Sequence, residues 1–172
     1  MWWLKRRLAK KSLQARLRGQ AMTIYDQLAK RTLDLTGGDQ LGLPDDFALR
    51  FDVMVLLVAG VLRGMRQRGD AKELAQGLWE MTFEGFEESL RNRGVTDIRM
   101  AARMNKLLMQ ATGRRNAYLM AWDAGEVQVL REAVGRNVLN GADPQDSRVD
   151  ILLEAVQGME QEILASTGGH GA

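Results

Sequence analysis

The side chains able to do acid–base work fall in two groups. Asp45, Asp46 and Asp52 lie beside the apolar Phe47 and Phe51, and Asp52 adjoins the longest hydrophobic run of the chain. A carboxyl buried there would have a raised pKa and could serve as general acid or base. The competing reading is a partner in Arg50 or another cation, or a capping role, because unpaired acids are seldom buried. Glu80, Glu84, Glu87 and Glu88 make the second group. They look like a metal-ligand set only superficially; amid other charges and without histidine they read as the wet face of a helix.

Other catalytic tools are missing. The chain has no cysteine, so thiol nucleophiles, disulfides, thiolate-held clusters and covalent haem attachment drop out. Its one histidine, His170, lies in the glycine-rich Gly168-Gly169-His170-Gly171 and cannot make a zinc site alone. Di-iron bundles need histidine at helical spacing from two glutamates and are excluded too. Neither G-x-x-x-x-G-K nor G-x-G-x-x-G occurs. We therefore expect no catalytic, cofactor-binding or metal site, and no cofactor.

The elements that position these residues are helical. At 172 residues, 45% hydrophobic and 27% charged, the chain suits one domain with one core. Leu13, Leu17, Ala21, Ile24 and Leu28 advance by three or four and share a helix face, whereas continuing backwards puts Arg6 and Lys10 beside Trp3. The first ten residues should therefore not pack fully. After the loop of Thr36-Gly37-Gly38-Asp39 and Gly42-Leu43-Pro44, Asp45 or Asp46 can cap a helix starting near Phe47. Val53 to Leu62 leaves almost no solvent face, which predicts a central helix surrounded by the others.

Gly69 with Asp70 and Glu73 marks a stop followed by a start, and a third helix runs to about Arg93 with Leu74, Leu78, Met81, Phe86 and Leu90 inward. Gly94 ends it. Helical spacing resumes at Met100, Met104, Leu107, Leu108 and Ala111, weakens around Thr112-Gly113-Arg114, and returns at Tyr118, Leu119 and Trp122. Segments at 126–139 and 147–165 complete an all-α reading. The expected organisation is a basic amphipathic arm over 1–18, a helical domain over 19–165 and a frayed tail over 166–172, with about six helices around the apolar one.

Charge separates the two ends. Lys5, Arg6, Arg7, Lys10, Lys11, Arg16 and Arg18 take seven of the 24 basic residues and none of the 22 acids, leaving seventeen cations against twenty-two acids, a net of −5, in the rest. With Trp2 and Trp3, the contact candidates Lys5, Arg6, Arg7, Lys10 and Lys11 suit a shallow anchor in an anionic membrane, contact with ribosomal RNA, or a merely solvated helix. A secretory signal is not expected, since Lys10 and Lys11 interrupt the apolar stretch. A mitochondrial presequence is compatible with the Arg-rich arm, although a domain starting so soon after Met1 leaves little room for a cleaved leader. The ten-residue run from Val53 to Leu62 is about half of what a membrane span needs.

Tyr25-Asp26, Leu43-Pro44-Asp45 and Arg50-Phe51-Asp52-Val53-Met54-Val55-Leu56 come in order before Val61-Leu62-Arg63, Glu73-Leu74-Ala75-Gln76, Leu78 and Phe83. Ser89-Leu90-Arg91, Gly94-Val95 with Asp97, and Gly113-Arg114 with Tyr118 follow. Over roughly residues 22–140 the chain resembles the ubiquinol-cytochrome c chaperone family, with Tyr25, Pro44, Arg50, Phe51, Asp52, Gly94, Gly113 and Tyr118 as its structural positions. One departure is Ala111-Thr112, where the family pattern has aromatics before the glycine. The resemblance implies a non-enzymatic helical chaperone that helps newly made cytochrome b reach the ubiquinol-cytochrome c reductase complex. It also implies association with ribosomes and with a small helical partner protein; DNA is not an expected partner.

A holder of apolar helices needs flexible, polarizable side chains. Met54, Met65 and Met81 are expected in the core. Met100, Met104 and Leu108, bordered by Arg103, Arg114 and Arg115, are the client-binding candidates, against an ordinary core with a solvated rim. The expected place of action is the cytoplasmic face of the inner membrane, or the mitochondrial matrix in a eukaryote. The alternative is a small ribosome- or RNA-binding module whose basic arm is its site.

Overall fold

The Leu49 backbone N–H donates to the Asp46 side chain at 2.9 Å, and this cap starts the helix that the other elements surround. The computed structural model describes the backbone of residues 2–69 and 72–167, and side chains from residue 10 onward within them. The helices are α1 (Trp2–Thr36), α2 (Phe47–Arg68), α3 (Lys72–Asn92), α4 (Asp97–Ala124), α5 (Val127–Val138) and α6 (Ser147–Thr167). Among the described residues every regular element is a helix, as the periodicity predicts.

Every residue of α2 from Val53 to Val61 is buried, and α2 touches each of the other five helices. A helix apolar all round can satisfy its surface only at the centre of a bundle. Asp52 meets Arg114 and Arg66 meets Asp123, so α2 and α4 run the same way. Gly60 lies on Val156 and Arg68 reaches Thr167, so α6 runs with them. Ala21 against Gly77 and Tyr25 against Gly85 make α1 and α3 parallel to each other, and Thr32 on Met54 with Gly37 near Asp45 sets α1 antiparallel to α2.

The approach of α6 to α2 depends on two glycines. A Cβ at Gly60 would come 2.3 Å from Val156 Cγ1, and one at Gly64 would come 2.7 Å from Leu164 Cδ1. Their spacing of one helical turn lets the two backbones close along that seam. Gly69, Gly94 and Gly125 take left-handed backbone angles at the helix ends.

Two sequence expectations change. The weakening at Thr112-Gly113-Arg114 does not break the helix: α4 is continuous from Asp97 to Ala124. Gly113 faces outward while Leu107, Ala111 and Tyr118 on either side are buried, and their packing outweighs the ~1 kcal/mol that a mid-helix glycine costs. The face begun by Leu13 buries nothing at its start: Leu13 is 47% exposed, Leu17 is half-buried, and full burial begins at Ala21. Basic segment and body are one unbroken helix whose side chains from Lys10 to Arg16 stand in solvent. The side chains of Trp2, Trp3, Lys5, Arg6 and Arg7, the Asp70 cap and the His170 tail lie outside the described residues.

Candidate functional site

The acid–base reading of Asp52 can be tested on its surroundings. Asp52 on α2 pairs with Arg114 on α4, Nη2 to Oδ1 3.0 Å, while Arg50 turns away to form a two-point bridge with Asp45 at 2.7 Å. Of the readings open for Asp52, the structure thus selects another cation. Burial pushes the Asp52 carboxyl up to about 6; Arg114 opposes the rise and Asp46 adds to it. Tyr118, wholly buried one turn further along α4, is pushed up to about 12 by the same desolvation. The Arg114 guanidinium also lies 5.2 Å from the centre of the Phe51 ring. Among the described residues there is no histidine and no metal-type cluster. This group joins two helices: Asp52, Arg114 and Tyr118 anchor α4 on α2, which positions the outer face of α4.

That outer face is unusual for a helix in solvent. Ile98, Ala102, Asn105, Met109, Gly113, Asn116 and Met120 follow helical spacing on the side opposite the buried Met100, Leu107 and Tyr118, and none carries charge. Ile98 is 94% exposed, Met109 77% and Met120 72%. Leu108 is exposed beside them. Exposed helix faces ordinarily carry charges, and large apolar side chains gathered on one face mark an interaction surface. From Ile98 to Met120 the strip is about 33 Å long, close to the ~30 Å span of a membrane helix. The small side chains Ala102 and Gly113 allow a second helix to approach. Along one edge Arg99, Arg103 and Lys106 form a row of cations with no ion pair among the described residues.

The sequence-predicted residues distribute as follows. Met100 is 5% exposed and belongs to the core, and Met104 is half-buried against it, so their surface is taken up by packing. Arg103 is exposed on the edge of the strip, Leu108 on its flank, Arg114 is held by Asp52, and Arg115 lies over Trp79. Lys10 and Lys11 are exposed on the projecting part of α1. Tyr25 presses on Gly85, Gly94 turns the chain between α3 and α4, and Pro44 precedes the α2 cap. Sequence reasoning overlooked Ile98, Met109 and Met120. The absence of charge at seven successive outward positions was a signal that could have found them.

Two recesses lined by α4 are larger than another, which lies beside Asp52 and Arg114. One, about 590 Å³, opens at the α3–α4 turn between Arg93, Arg99, Arg103 and Lys106. The other, about 510 Å³, lies between α2, α3 and α4, with Leu62, Met65, Trp79 and Leu119 in its walls.

Among the described residues no helix is long and apolar enough to cross a membrane. A family model described as Ubiquinol-cytochrome C chaperone matches residues 39–164, which takes in α2 to α5 and most of α6. No curated protein and no solved structure matches the chain.

Proposed function

The chain belongs to the ubiquinol-cytochrome C chaperone family, and from that premise we propose that it acts by holding newly made cytochrome b until it enters the ubiquinol-cytochrome c reductase complex, without catalysing a reaction. The observation that carries this reading is the uncharged strip on α4, which is as long as a membrane-spanning segment and includes two flexible methionines. Such side chains adapt to different apolar helices and release them again, because no single rigid fit is built in. The basic segment of α1 keeps the protein at the cytoplasmic face of the membrane, the matrix side in mitochondria, or at the ribosome, where the client emerges. A small helical partner fits the same scheme.

Co-purification from respiring cells tests it. Newly synthesised cytochrome b should be captured by the wild-type chain and lost with Met109→Glu and Met120→Glu together. Equal capture by both would sink the strip as the holding surface. A second reading, an RNA-binding module, is favoured by the unpaired row Arg99, Arg103 and Lys106 together with exposed Lys10 and Lys11. Salt-dependent RNA binding without any captured cytochrome b would support it.

A further inference from the structure

The recess between α2, α3 and α4 is separate from the α4 strip and has its own chemistry. Its floor is apolar, formed by Leu62, Met65, Trp79 and Leu119. Its rim is cationic: Arg66, Lys72 and Arg115 line it, and among the described residues no carboxylate does. Arg66 is already engaged by Asp123 at 2.6 Å. Lys72 and Arg115 have no ion pair among the described residues. The Arg115 guanidinium carbon lies over the Trp79 ring, 4.4 Å from its centre, and the Arg115 Nε is buried without a hydrogen-bond partner. Burial also draws Arg115 below the ordinary arginine value. An arginine keeps its charge in such a place, so the site holds a partly desolvated cation with no counter-ion among the described residues.

Dimensions narrow the occupant. A volume of about 510 Å³ is that of a small-molecule site. From Lys72 to Trp79 the α3 wall is about 10 Å long, a third of the length of a membrane-spanning helix. The recess is therefore too short for a client helix and suits one chain with a charged end. We propose that it binds a single-chain amphipathic anion, with the alkyl chain on Trp79, Leu62 and Leu119 and a carboxylate or phosphate head between Arg115 and Lys72.

The full-length protein, labelled with 15N at its tryptophan indoles, can be titrated with monomeric dodecanoate, dodecyl phosphate, dodecanol and inorganic phosphate. The Trp79 signal is assigned by its loss in Trp79→Phe. We expect a saturable shift of that signal with dodecanoate, dodecyl phosphate or both, and the stronger of the two identifies the natural head group as a fatty-acid carboxylate or a lipid phosphate. Arg115→Gln should weaken binding at least tenfold, with the Trp122 signal unmoved as proof of fold, and the exposed Lys72→Glu should weaken it severalfold. Equal binding of dodecanol, equal binding of inorganic phosphate, or no saturable shift with either anion would overturn the proposal.

Discussion

Arg114 of α4 lies 3.0 Å from Asp52 of α2, and both side chains are largely shielded from water. The pair joins the central helix to α4, whose outward face carries the uncharged strip. Acidic and basic members come from stretches of sequence sixty-two positions apart, so their meeting is a product of the α2–α4 packing.

Asp52 gives the fold a pH signature. Its carboxyl sits at about 6 against an ordinary 3.8, so between those values the folded chain keeps a proton that the unfolded chain has lost. The stability this confers is fully present below about pH 4 and is lost as pH rises through 6. Urea unfolding should show wild type losing about 1–3 kcal/mol relative to Asp52→Asn across that window. Parallel curves for the two proteins would contradict the assignment.

Two glycines should respond in opposite directions. Gly60→Ala forces a methyl to 2.3 Å from Val156, a stiff β-branched side chain, and should destabilise by about 1–3 kcal/mol despite better helix propensity. Gly113→Ala meets nothing within 4 Å on an exposed turn of α4 and should stabilise by up to ~1 kcal/mol. Thermal melts of both variants decide the point.

The strip can be altered without disturbing the core. Met109→Glu and Met120→Glu should each leave unfolding stability within about 0.5 kcal/mol, because surface changes away from packing or hydrogen bonds have small effects. Client capture should nevertheless fall sharply. A folded double variant that still captures client would place holding elsewhere.

The basic segment of α1 makes a separable prediction. Deleting residues 2–11 removes the segment before Leu17, the first half-buried position among the described side chains, so the body should keep its melting temperature. Membrane or ribosome co-sedimentation should drop, and should already be salt-sensitive in wild type. Unchanged, salt-insensitive sedimentation would remove the segment from the account.

Some of this was legible in the sequence and some was not, for identifiable reasons. The run from Val53 to Val61 required a central helix, because no arrangement but burial on all sides satisfies it. A cap at Asp45 or Asp46 and the Gly94 turn followed from local chemistry, and the packing selects Asp46. Met100 and Met104 were drawn toward the client surface because apolar spacing of three and four picks out a helix stripe, and the same stripe defines the core. Met109 and Met120 lie on the reverse, where the informative pattern is missing charge rather than apolar rhythm. Gly60 and Gly64 revealed nothing alone, since the helix that presses on them, α6, lies some hundred residues away in the chain. The Trp79–Arg115 recess depends on three helices at once and had no local signal.

A photo-crosslinking scan in cells making cytochrome b tests the account most directly. A reactive group is placed in turn at positions 98, 109 and 120 on α4, at Glu88 on α3 and at Gln157 on α6, all exposed in the structure. The account predicts adducts to cytochrome b from the three α4 positions and none from the other two. Adducts only from α3 or α6, or equal yields all round, would contradict it.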